Sequence, residues 1–81
     1  MLIPAQCRAA RGLLAWSQEG LAKRAAVSLS TVRDLETERR AISGELAEKI
    51  RTAFERAGVI FLGADGAGGP GVRLKRSSGR S

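Results

Sequence analysis

QEGLAKRAAVSLSTVRDLET, residues Gln18 to Thr37, is the stretch that decides the fold. Ser17 and Ser28 each stand just ahead of a short apolar-periodic run, where a side-chain oxygen can cap the first free amides of a helix. The two runs are Gln18 to Ala25 and Leu29 to Glu36, and only Ala26-Val27-Ser28 separates them. Leu21, Ala25, Val27, Val32 and Leu35 fall on the facing sides. Ala22 sits where two steeply crossing helices approach most closely, and a larger side chain there would push them apart. The spacing predicts a helix-turn-helix. Its second helix is unusual as a surface for an acidic duplex, because it opens on Leu29 and carries Asp34.

The flanks add two more helices. Pro4 suits a first helical position. From there Ile3, Cys7, Ala10 and Leu14 recur at four-three-four spacing as one apolar stripe. Ser43 is placed to cap a helix over Gly44 to Ala57, with Leu46, Ile50, Ala53, Phe54 and Ala57 on one face. Gly58 then stands where a helix end favours a residue free to take positive φ. Beyond it the composition changes. Val59 to Leu62 reads as a strand, and Val72 and Leu74 alternate with Arg73 and Lys75 as in a half-buried strand. The glycine-rich segment between them allows a hairpin, and a flexible tail is the alternative.

Composition narrows the chemistry. At 81 residues the chain is one domain at most. A chain of this size buries only about 60% of its unfolded surface, so a partner subunit would help stability. Fourteen basic against eight acidic residues give +6, which favours a polyanionic partner. There is no histidine, and Cys7 is the single cysteine. That composition excludes a zinc site, a His-based acid/base pair and an internal disulfide, and it suits a reducing compartment, the cytoplasm. Neither paired carboxylates nor a Ser–Lys pair stands at a suggestive spacing, so no catalytic residue, metal or cofactor is expected. No apolar run is long enough to span a membrane. The N-terminus shows no secretion-signal pattern.

Residues Cys7 to Arg40, above all ARGLLAWSQ, LAKRAAVS and STVRDLE with its following basic loop, resemble the Cro/C1-type (Xre-like) DNA-binding domain of phage repressors and bacterial regulators. The resemblance runs over residues 3–57, and GVIFL with GGPGVRLKR resembles the ending of small regulators of the same type. It implies a mainly α fold: a four-helix domain over 1–58, a strand or hairpin over 59–76 and a flexible tail over 77–81. It also implies double-stranded DNA as partner. Gln18 matches a glutamine that contacts a phosphate and braces the recognition helix, Ser28 to Glu36. Leu29, Ser30, Arg33 and Asp34 match positions facing base edges, and Thr31 matches one reaching backbone or base. Arg39 and Arg40 match a phosphate-gripping loop. Arg11 and Glu36 match a largely buried ion pair between the first and third helices.

The chemistry of that face is compatible with DNA. Arg33 can grip guanine O6 and N7, Leu29 can pack on a thymine methyl, and Asp34 can accept from cytosine N4 or else tie down a neighbouring arginine. Two departures weaken the element. Ala26 occupies the turn position where the family commonly has glycine, at a cost of about 1 kcal/mol. Gly20 stands where a glutamate usually closes a capping box with the serine.

Other residues keep two readings. Trp16 precedes a cap, which suits a hydrophobic staple more than a partner contact. Cys7 lies on the apolar stripe and reads as a small buried hydrophobe. Arg73, Lys75, Arg76 and Arg80 either add non-specific affinity for DNA or are simply solvated. Val59, Ile60, Phe61 and Leu62 are the candidate dimer element: a lone apolar strand would leave an edge that a second copy covers, setting two recognition helices about 34 Å apart. The leading expectation is therefore a bacterial homodimeric regulator of transcription, such as a repressor, which binds operator DNA through residues 28–36. The alternative is a helix-turn-helix scaffold that binds a regulatory protein, as an anti-activator or antitoxin does. A third reading, non-specific nucleic-acid binding through the basic tail, predicts equal affinity for any sequence.

Overall fold

Serine oxygens start three of the four helices. Ser17 Oγ accepts from the Gly20 amide at 2.9 Å, Ser28 Oγ from Thr31 at 3.1 Å and Ser43 Oγ from Leu46 at 3.1 Å. The computed structural model describes residues 2–75. The elements in chain order are α1 (Pro4–Leu14), α2 (Gln18–Ala25), α3 (Leu29–Thr37), α4 (Gly44–Arg56), β1 (Val59–Leu62) and β2 (Gly71–Leu74). Pro4 opens α1 as expected, and Gln6 Oε1 accepts the Ile3 amide at 3.3 Å.

The first three helices end on left-handed residues, and the fourth is followed by a glycine at positive φ. Ala15, Ala26 and Glu38 take φ of 57°, 58° and 56°, and Gly58 takes 97°. Positive φ at Ala26 accounts for the glycine common at that turn position in the resembled family, and Ala15 and Glu38 repeat the conformation. Each of these three L-residues costs on the order of 1 kcal/mol relative to glycine. Two boundaries move by one residue. α3 runs through Thr37, and α4 stops at Arg56, leaving Ala57 as an exposed cap and not part of the buried face.

The core collects one stripe from every helix. Phe54, Leu21, Ile50, Val32 and Cys7 are fully buried, and Ala22 and Ala25 of α2 are buried in the same cluster. Phe54 stacks on Trp16 with ring centroids 5.6 Å apart and meets Phe61 edge-on at 6.0 Å. Trp16 thus anchors the start of α2 onto α4.

Residues 59–74 form a hairpin and not a loose tail. β1 and β2 pair antiparallel, Val59 opposite Leu74 and Phe61 opposite Val72. These four pack toward the core, and Ile60 and Leu62 alternate onto the other face. The strand is therefore not alone: β2 covers one of its edges, and α4 and α1 lie beneath the pair. Gln6, 5% exposed, fastens the hairpin. Its Nε2 donates to the carbonyls of Leu62 and Gly71, at 3.1 and 3.0 Å. Arg76, Arg80 and the tail expected over 77–81 lie outside the described residues.

Candidate nucleic-acid interface

α3 is held from within by one carboxylate. Glu36 is 4% exposed although it is charged. Arg11 reaches it from α1 with two bonds, Nε to Oε2 at 2.7 Å and Nη2 to Oε1 at 2.8 Å. Gln18 Nε2 donates to Oε1 at 3.0 Å from the first position of α2, and Cys7 Sγ donates to Oε2 at 3.1 Å. Arg8 Nη1 donates to the Glu36 carbonyl, at the end of α3 where helical carbonyls lack partners. Burial alone would raise the Glu36 carboxyl, but the hydrogen bonds from Arg11, Gln18 and Cys7 outweigh it and hold the group below the usual carboxylate range. The same pairing raises Arg11. Burial, together with the neighbouring carboxylate, pushes the Cys7 thiol up, so it stays a neutral donor. Arg11 of α1 thus forms a two-bond ion pair with Glu36 of α3, and the Gln18 amide lies on the same carboxylate.

The opposite side of α3 is open. Ser28, Ser30 and Arg33 are exposed, and Leu29, Thr31 and Asp34 are half-buried. Ser28 Oγ and Thr31 Oγ1 lie 2.9 Å apart across the start of the helix. Arg39 and Arg40 follow in the exposed loop after α3. Among the described residues the ion pairs are Arg11–Glu36 and Arg51–Glu55, so Arg33, Asp34, Arg39 and Arg40 join none. Among the described residues Asp34 ties down neither Arg33 nor another arginine. Leu29 and Arg33 share one row along the helix, and Ser30 and Asp34 the next. Gln18, at the neighbouring N-terminus of α2, is half-buried and keeps its amide against Glu36. Residues 28–40 and the start of α2 thus bring together two helix N-termini, guanidinium groups outside any described ion pair, and two such carboxylates, Asp34 and Glu38. Such a surface suits phosphates at its rim and base edges at its centre.

Sequence reasoning missed several contacts, among them the Gln6 fastening, the Arg8 and Cys7 donors to Glu36, and Arg24 lying over the Trp16 ring at 4.5 Å. Gln6 carried one usable signal, a glutamine three residues into a helix, where it can reach back to the preceding amide. Among the described residues no cluster of His, Cys, Asp or Glu can hold a metal ion, and no helix is long and apolar enough to cross a membrane.

Fold and surface together define a helix-turn-helix domain. A family model described as Helix-turn-helix, of the Cro/C1 type, matches residues 8–57, more than half of the chain. This chain belongs to that family of DNA-binding regulators, which are not typically enzymes. No curated protein matches it.

Proposed function

We propose that the protein is a transcriptional regulator of a bacterial cytoplasm, whether it represses or activates, that binds operator DNA as a homodimer through residues 28–36. The observation that carries this reading is the contrast on α3: its inner side is fully bonded, while Ser30, Arg33 and Asp34 are available to a partner. Ser28, Leu29, Ser30, Thr31, Arg33 and Asp34 face the major groove. Gln18, Arg39 and Arg40 take phosphates. Tighter binding to DNA from upstream of its own gene than to scrambled duplex, by about a thousandfold and with a steep salt slope, is the result expected of a fluorescence-anisotropy titration. Equal and weak binding to both, persisting across a library of duplexes, would reject operator reading. It would favour a protein partner at the same face.

The hairpin supports the dimer. Val59 and Phe61 serve the monomer's own core, which leaves Ile60 and the 38%-exposed Leu62 on the outer side, with the second edge of β1 unpaired by any strand among the described residues. A second copy related by a twofold axis covers both. Sedimentation of Ile60→Asp/Leu62→Asp should show a monomer. An intact dimer would place the interface elsewhere. Point changes are the right test, because removing the hairpin would also take Val59 out of the core.

A further inference from the structure

Asp34 is the feature of the α3 surface that a general affinity for DNA leaves unused. Its carboxylate is half-buried, and among the described residues it joins no ion pair and accepts no side-chain hydrogen bond. Ser30, one turn back, is within helical reach but donates nothing to it. Glu38, one turn on, carries the same charge, and the arginines of the following loop leave Asp34 unpaired. A carboxylate can only accept. Set against a duplex without a donor, it loses water, gains nothing, and faces the phosphate charge besides.

The major groove offers few donors. Guanine O6 and N7, adenine N7 and thymine O4 all accept, and would oppose Asp34. The exocyclic amines of cytosine and adenine donate, but adenine sets its N7 acceptor beside the amine, where it meets the second carboxylate oxygen. Cytosine presents N4 with no acceptor of its own beside it on the groove edge. The next side chain, Arg33, is exposed and free, and its fork matches guanine O6 and N7, in the same base pair or the next. Leu29, on the row of Arg33, adds an apolar surface for a thymine methyl.

We propose, resting on the reading of α3 as a base reader, that Asp34 selects a cytosine in each operator half-site, with guanine taken by Arg33. Asp34 acts largely by exclusion: it penalises every base that offers it only acceptors. The specificity of the protein at that position then resides in one carboxylate and can be rewritten. Asparagine keeps the size of aspartate but adds a donor, and it bonds adenine N6 and N7 together.

The experiment is selection of bound duplexes from a randomised library by the full chain, run in parallel for the wild type, Asp34→Asn and Asp34→Ala. The wild type should recover one cytosine position per half-site. Asp34→Asn should move that position to adenine, with a preference of about tenfold or more, and leave the other positions as they were. Asp34→Ala should make the same position degenerate. A consensus that neither substitution alters would overturn the assignment to Asp34 while leaving α3 as the reader. A wild type that recovers no consensus at all would overturn the reader and this assignment together.

Discussion

The inward side of α3 carries the carboxylate of Glu36, and the outward side carries that of Asp34 two residues earlier. Glu36 accepts hydrogen bonds from Arg11, Gln18 and Cys7 and is nearly sealed from water. Asp34 has no such partner among the described residues. The same chemical group thus serves two ends on one helix. Where three donors converge on it from α1 and α2, it sets the position of the helix. Where none does among the described residues, it is open to the base contact proposed above. The sharpest way to test the comparison is to remove each side's groups and ask whether stability or binding responds.

Glu36→Ala should give the largest effect. It leaves the Arg11 guanidinium, largely out of water, without its counter-charge, and removing one partner of such a pair typically costs about 3 kcal/mol or more. Urea denaturation measures it, and a loss below about 1 kcal/mol would contradict the role given to Glu36. The pairing also has a pH signature. The folded carboxyl titrates below its ordinary value of about 4.3, so its contribution is complete above that pH and is lost as pH falls through the lower folded value. The wild type should therefore lose this stability below about pH 4, and Glu36→Gln should lack that component of the acid dependence.

Gln6→Ala comes next, at about 2 kcal/mol, because two strand carbonyls and the Ile3 amide lose their side-chain partner in a largely buried place. Amide exchange should rise in β1 and β2 more than in α3. Uniform loss of protection across the chain would mean that Gln6 supports the whole core and not the hairpin in particular.

These residues also mark where the sequence was readable. Caps and periodicity are local, so Ser17, Ser28, Ser43 and the apolar stripes placed the start of the first helix and both ends of the other three to within a residue. The turn at Ala26 was legible for the same reason. The inner network was not, because its partners are far apart in the chain: Arg8 and Cys7 meet Glu36 across 28 and 29 residues, and Gln6 meets Gly71 across 65. No periodicity connects such pairs. The Arg11–Glu36 pair came from family resemblance and not from spacing. The exposed face was the easier half of the site, since a polar residue opposite a buried stripe is outward by helical geometry alone. That Asp34 lacks a partner among the described residues needed the structure.

Ala26→Gly should act in the opposite direction. At φ 58° the alanine Cβ crowds its own backbone, and glycine relieves about 1 kcal/mol. The greater freedom of glycine in the unfolded chain offsets part of that gain. Thermal unfolding should show a small rise, and the same change at Ala15 should match it, since φ is 57° there. A fall at either site would mean that the methyl contributes packing which outweighs the strain.

The smallest effect on stability should come from Arg39→Ala and Arg40→Ala, and it separates the two sides of the comparison most cleanly. Both side chains are exposed and join no ion pair among the described residues. Surface changes of this kind usually fall within about 0.5 kcal/mol. Binding should nevertheless weaken. An arginine on a phosphate releases about one counterion, so each substitution should lower the slope of log affinity against log salt by about 1 while leaving the preferred sequence unchanged. Arg33→Ala should behave differently, flattening the preference at one base position as well as weakening binding. If Arg39→Ala and Arg40→Ala leave the salt slope unchanged, the loop is solvated in the complex. The phosphate contacts would then fall to the helix N-termini at Gln18 and Ser28. If they unfold the protein, the division between a bonded inner side and a free outer side does not extend past the end of α3.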